Sequence, residues 1–207
     1  MAAPTTFGLL RHSRTVWNEE KRIQGLQNSP LSATGKKMAE AWGKELQVLP
    51  WDAILASDLG RVRETVALIN KTLQLPVVSK PLLREQDWGR WSGLSFPELF
   101  AQHKEVVRQQ EQRGWNFRPP GGESRKEVLA RALQSLEQAS RSLPGKQVLV
   151  VCHEGIIKTL IYHLLERKFM PDEPKIFQGY QLHLLKMQDK QLTLTGLNHL
   201  QLTGAEP

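Results

Sequence analysis

An α/β three-layer sandwich, with helices on both faces of a central and mostly parallel mixed sheet, is the fold class this sequence predicts. Three observations carry it. Short apolar runs alternate with stretches whose apolar residues recur at helical spacing. The most apolar run, Val148-Leu149-Val150-Val151, is continuous, as a strand covered on both faces should be. The C-terminal part holds two strand-like runs close enough to form a hairpin, which adds antiparallel pairing to a sheet otherwise built from crossovers.

In chain order, Thr6-Phe7-Gly8-Leu9-Leu10 reads as a short buried strand. Ser32 is placed to cap a helix reaching about residue 48, with Met38, Ala41, Trp42 and Leu46 at helical spacing. Ala53-Ile54-Leu55-Ala56 is a second strand, and the helix after it, capped by Ser57 or Asp58, turns Val62, Val66 and Ile69 to a core. Val77-Val78 is a short third strand. Residues 83–97, rich in Trp and Gly, read as an irregular segment, and long loops of that kind often carry function. Ser124-Arg125-Lys126-Glu127 matches a capping box, so a helix runs to about 142, where Pro144-Gly145 follows. After the strand at 148–151 a helix spans 155–165, and runs 181–187 and 191–197 pair through Gln188-Asp189-Lys190.

The 207 residues suit one domain, 1–207, long enough to bury a sizeable core. With 40% hydrophobic and 24% charged residues, the chain has neither a disordered nor a collagen-like composition. The single cysteine, Cys152, cannot close an intramolecular disulfide, which points to a reducing, cytoplasmic setting. No run approaches the ~18 apolar residues of a membrane span, and residues 1–10 lack the pattern of a signal peptide, so no membrane is expected. Lys and Arg number 28 against 21 acids, a net charge of +7 that favours anionic partners. By charge alone a nucleic acid or a small phosphorylated metabolite would serve equally. The basic residues are scattered among acids, however, and form no block that would favour nucleic acid.

In open α/β sheets ligands sit beyond the carboxyl ends of strands. Arg11-His12, the segment from Ser57 to Arg61, and Cys152-His153-Glu154-Gly155 stand there, so two histidines and two arginines converge on one crevice. Other chemistries fail on the letters. A cysteine phosphatase needs Cys-x5-Arg, but Lys158 stands six residues after Cys152. The zinc pattern His-Glu-x-x-His begins at His153-Glu154 and meets Ile157 where the second ligand belongs. No Gly-x4-Gly-Lys-Ser/Thr phosphate loop is present.

The run from Leu10 to Asn18, Leu-Arg-His-Ser-Arg-Thr-Val-Trp-Asn, resembles the Arg-His-Gly opening motif of the histidine phosphatase superfamily, which includes the phosphoglycerate mutases. Gln24-Gly25, Asn28-Ser29-Pro30-Leu31, the Ser57 to Arg61 segment, Leu83-Arg84-Glu85 with Gly89 and Trp91-Ser92-Gly93-Leu94, Pro120-Gly121-Gly122-Glu123-Ser124 and the segment 150–155 follow in family order, so the resemblance covers 6 to about 165. It implies that His12 attacks phosphorus to give a phosphohistidine and that Glu85 is proton donor to the leaving group, then base for water. Arg11 and Arg61 would clamp the phosphate oxygens, with hydrogen bonds from Asn18, Gln24 and Gly25 and positive potential from His153. No metal and no cofactor is implied.

Two departures stand out. Ser13 replaces the usual glycine and would put a side chain beside the phosphate; Glu154 replaces a small residue and would bring a carboxylate near it. The segment 83–94 resembles the phosphatase branch, including broad-specificity sugar phosphatases and α-ribazole phosphatases, more than the mutases with their Asn-Glu-Arg-His-Tyr-Gly run. A phosphatase is therefore expected, the alternatives being mutase-type phosphoryl transfer and a non-catalytic anion or nucleic-acid binding protein. Leaving-group contacts are expected from 88–120; Arg84, Arg90, Arg108, Arg113 and Arg118 are candidates for a second acidic group, and Trp88, Trp91, Phe96 and Trp115 for pocket or core packing. The terminal hairpin could offer an edge strand to a second copy, so a homodimer is among the expected assemblies.

Overall fold

Thr5–Arg11 (β1), Ala53–Ala56 (β2), Val77–Ser79 (β3) and Gln147–Cys152 (β4) form the parallel part of one six-stranded sheet, in a computed structural model that describes residues 3–177 and 180–203. Gln181–Gln188 (β5) runs antiparallel to β1, and Gln191–Gln201 (β6) antiparallel to β5, giving the order β3-β2-β4-β1-β5-β6. The expected mixed, mostly parallel sheet flanked by helices is thus what the chain forms.

Alternation along the central strands divides the core in two. Phe7, Leu9, Val148 and Val150 face Leu136, Ile157 and Leu160 from Arg125–Ser142 (α5) and Glu154–Leu164 (α6). Leu10, Leu149 and Val151 face the opposite layer, Met38 and Trp42 from Ala33–Glu45 (α2) and Val62 and Ile69 from Gly60–Leu73 (α3). All of these are buried, as the unbroken apolar character of β4 requires. Gly8 interrupts β1 because the Trp51 indole crosses its α-carbon, where a β-carbon would collide with the ring.

The caps mostly follow the sequence. Ser32 accepts from the Gly35 amide at the start of α2, and Ser124 with Glu127 makes the reciprocal capping box of α5. The cap expected of Ser57 or Asp58 on α3 is different: Leu59 occupies the N-cap with no side-chain bond. Both candidates are engaged elsewhere, Ser57 with His153 and Asp58 with Arg84. Val16–Glu19 (α1) is a single turn capped by Thr15 and Asn18.

The segment read as irregular ends in a helix. Phe96–Glu111 (α4) opens on Ser95 with Glu98 in a capping box and Pro97 in the first turn, where proline is tolerated. With Ile23 and Phe117 it builds a third small core around Trp91, Leu99 and Val107. The Gly93 amide donates to Ile23 O and the Ile23 amide to Leu94 O, which ties this excursion to the chain just after β1.

Candidate active site

The carboxyl ends of β1, β2 and β4 meet, and the residues past them form the floor of a cavity of about 430 Å³. The His12 amide donates to Cys152 O at 3.0 Å and the Ser57 amide to Val151 O at 3.1 Å, so the sheet's hydrogen bonding continues to the rim of the site. His12 is buried. Its Nδ1 lies 2.8 Å from Ser13 O, a contact only a protonated Nδ1 can make, so Nε2 carries the lone pair. Arg61 Nε donates to that Nε2 at 3.2 Å.

Arg61 is itself fixed. Its Nη1 donates to Gln27 O and its Nη2 to Gly25 O, both at 2.8 Å. Gly25 takes a positive φ of 52° here, and a β-carbon would press on Ser92 Oγ, so glycine is needed to turn its carbonyl to the guanidinium. Burial lowers the Arg61 guanidinium to about 10. Burial, with Arg61 and Arg11 beside it, also holds the His12 imidazole well below its usual range and therefore neutral. Arg11 bonds Glu154 Oε2 through Nη1 at 2.5 Å; burial opposes its charge, but Glu154, Tyr180 and Glu85 keep it above the ordinary arginine value.

Glu85 enters from the loop after β3. One carboxyl oxygen accepts from the Gln86 amide at 2.8 Å and the other from the Gly155 amide at 3.3 Å. A β-carbon at residue 155 would collide with this carboxyl group, which explains the glycine in the first turn of α6. Burial raises the Glu85 carboxyl, against the pull of those amides and of Arg61. A neutral imidazole with a free nitrogen, an arginine on it and a carboxyl group inclined to keep its proton can attack, clamp and protonate a phosphate ester.

Asn18 and Gln24 line the cavity, as expected. Asn18 Oδ1 is spent on the Thr15 amide and hydroxyl, and Gln24 Nε2 donates to Thr15 Oγ1 at 2.9 Å, leaving Gln24 Oε1 buried without a partner. His153 stands behind His12, with ring centroids 5.3 Å apart and edge to face; its Nε2 bonds Ser57 Oγ at 2.9 Å and its Nδ1 is buried and unpartnered. Burial and the neighbouring Arg61 keep it neutral, so the positive potential expected of it does not come from a charge on its own ring. Ser13 needs correcting: it does not line the cavity but turns away to Thr65, its amide donating to Thr65 Oγ1 at 3.1 Å with the hydroxyl 3.4 Å from the same oxygen. Glu154 does line the cavity, and its carboxylate is occupied by Arg11.

The arginines expected to meet a second acidic group are not in this cavity. Arg84 pairs with Asp58 and Arg118 with Glu127, both outside it. The further cations that line it, besides Arg11 and Arg61, are Arg22, Arg125 and Lys158, none expected from the sequence to meet a substrate. Lys158 was legible in principle, since it stands one helical turn after Glu154 on the face that already carries the site. Trp88 and Phe96 also line the cavity, whereas Trp91 is core and Trp115 stacks edge-on to Phe169.

The sequence pattern of the histidine phosphatase superfamily (branch 1) matches residues 7–200. The chain belongs to that superfamily. Among its relatives, this histidine phosphatase superfamily member is 30% identical over 157 residues to the uncharacterized phosphatase PhoE of Bacillus subtilis (strain 168), covering 76% of each chain. It is 32% identical over 161 residues to the 2,3-bisphosphoglycerate-dependent phosphoglycerate mutase 2 of Gloeobacter violaceus, covering 75% of this chain and 74% of the mutase. The solved structure of Bacillus stearothermophilus YhfR superimposes with a TM-score of 0.85 at 27% identity, over 95% of this chain and 98% of that one. The superfamily relatives are thus phosphatases and phosphoglycerate mutase-like enzymes. Among the described residues, no helix is long and apolar enough to cross a membrane, and no cluster of three or more His, Cys, Asp or Glu could hold a metal ion.

Proposed function

We propose that this protein is a metal-independent phosphomonoesterase that hydrolyses small phosphorylated metabolites through a phosphohistidine on His12. The observation that carries the proposal is the unprotonated Nε2 of His12, held by the Nδ1 contact to Ser13 O in a cavity that Arg61 and Glu85 also line. In the first step Nε2 bonds to phosphorus, the ester P–O bond breaks, and Glu85 gives its proton to the leaving alkoxide. In the second, the Glu85 carboxylate takes a proton from water, the water oxygen bonds to phosphorus, and the N–P bond breaks to release inorganic phosphate. Arg61 and Arg11 counter the charge on the non-bridging oxygens, the part a metal plays in other phosphatases. A mutase would differ in the acceptor, a sugar or glycerate hydroxyl in place of water, and the Gloeobacter relative favours keeping that acceptor in the test.

The test is phosphate release from a panel of phosphomonoesters with EDTA present, for the wild type and His12→Ala, with a parallel assay for transfer to added hydroxyl acceptors. Release by the wild type and none by a folded His12→Ala is the expected result; undiminished release by that variant overturns the mechanism. Arg61→Ala is expected to raise the barrier by roughly 2 to 4 kcal/mol, as loss of one preorganised donor does.

A further inference from the structure

Two cations in the cavity have no part in the chemistry above. Lys158 lies on α6 one turn beyond Glu154, and Arg125 is the first residue of α5. Among the described residues neither forms an ion pair with a carboxylate, whereas Arg11 has Glu154, and Arg22 has Glu20 and Glu98. Both are held on aromatic faces instead. The Arg125 guanidinium carbon sits 4.2 Å from the Phe117 ring centre and 4.5 Å from that of Phe169. Lys158 Nζ lies 5.5 Å from the same Phe169 ring and 5.2 Å from that of Tyr162. Arg125 Nη1 also donates to Gly114 O at 3.0 Å, so its position is fixed by a carbonyl and two aromatic rings, with Glu111 acting on its charge only at a distance and not as an ion pair.

Burial lowers Arg125 to about 10, and burial with Arg125 nearby lowers Lys158 below the usual lysine range. Two like charges sharing one aromatic neighbour in a partly desolvated cavity are unfavourable unless an anion joins them. The cavity on the other side of Glu85 makes the contrast: Arg84, Arg118 and Arg131 line it, and each has a carboxylate partner, Asp58, Glu127 and Glu123. Of these two cavities, only the one that opens onto His12 is lined by cations without a carboxylate ion pair.

We infer that Lys158 and Arg125 form a second anion subsite, so that the preferred substrate is a phosphomonoester whose leaving alcohol carries another acidic group, a carboxylate or a second phosphate. The substrate part of this inference rests on hydrolysis at His12; the binding part does not. The experiment compares kcat/KM for butyl phosphate, 4-phosphonooxybutanoate and butane-1,4-diyl bisphosphate in wild type, Lys158→Met and Lys158→Arg. The wild type is expected to favour the better of the two anionic esters by about tenfold or more, the scale of one charged hydrogen bond, and the better ester identifies the group. The preference should shrink at least severalfold in Lys158→Met and persist in Lys158→Arg; Lys158→Gln replaces the Met variant if that one does not fold. Equal rates for neutral and anionic esters, or an undiminished preference in Lys158→Met, overturn the subsite. Calorimetric binding of the same esters to His12→Ala separates the two readings. Tighter, Lys158-dependent binding of an anionic ester without turnover by the wild type retains the subsite and sinks hydrolysis; turnover without discrimination does the reverse; neither turnover nor selective binding overturns both.

Discussion

On the proposed function, Glu154 sets the terms on which Arg11 would meet a phosphate. Its carboxylate holds the guanidinium at 2.5 Å, with 28% of the Arg11 side chain and 56% of the Glu154 side chain exposed, so a dianion must compete for a bond that solvent already weakens. Glu154→Gln is expected to lower KM by about two- to fivefold, the range of an exposed pair, with little change in kcat. A raised KM would mean that Glu154 orients Arg11 for the substrate. Activity should also carry two ionisations. The His12 pKa is lowered, so activity is lost only as pH falls through that depressed value; the Glu85 pKa is raised, so donor capacity is lost as pH rises through it. A pH profile of kcat/KM should lose its alkaline limb in Glu85→Gln, and a limb that persists there would remove Glu85 from the donor role. At this scale the sequence was informative about identity and poor about direction. His12, Arg61 and Glu85, whose motifs stand in order along the sequence, line one cavity, whereas the direction of Ser13 depends on Thr65, 52 residues away.

At the scale of elements, the position of Glu85 depends on α5. Arg131 on that helix spends all five of its N–H groups: Nε and Nη2 bind the two oxygens of Glu123 at 2.7 and 2.8 Å, Nη1 binds Leu82 O and Arg84 O at 2.8 and 2.6 Å, and Nη2 binds Glu85 O at 3.0 Å. Glu123 reaches back as well, its carbonyl accepting from Gln86 Nε2 at 2.7 Å. Removing the guanidinium frees the backbone that carries the carboxyl group, and small misplacements of a reacting group are costly. Arg131→Met is expected to cut kcat by roughly ten- to a hundredfold with a smaller change in KM, and Arg131→Lys, which keeps charge but not the planar fork, should not restore it. A kcat within twofold of wild type in a folded Arg131→Met would show that Glu85 needs no such support. Capping boxes were the readable part of these elements: Ser124-x-x-Glu127 announced α5, and Ser95-x-x-Glu98 carried the same signal for α4 under the Trp- and Gly-rich run before it. The start of α3 was not readable, because Ser57 and Asp58 are good caps that tertiary partners claim.

For the whole molecule, burial of neutral histidines makes stability depend on pH. His12, His153 and His183 all have folded values below the unfolded 6.5, His183 at about 4, so the unfolded chain takes up protons first as pH falls. Their contribution is complete above about 6.5 and is lost as pH drops towards 4. Glu85, with its raised value, contributes the opposite slope, one group against three; Asp58 and Glu127, lowered chiefly by Arg84 and Arg118, add the histidines' sign at still lower pH. The melting temperature is therefore expected to be lower at pH 5 than at pH 7, and an equal or higher value at pH 5 would contradict the burial of neutral rings.

Local chemistry is written in the letters: which runs are strands, where most helices begin, and which residue types at strand ends suit a phosphate. Periodicity and capping act over a few residues, so they survive in the linear sequence. Everything that depended on a partner far along the chain was settled by packing. The pairing of Arg11 with Glu154, the clamp of Arg131 on the Glu85 loop and the meeting of Lys158 with Arg125 over Phe169 each join separate segments. The charge state and direction of a side chain follow from those neighbours and from burial, neither of which is a property of the residue alone.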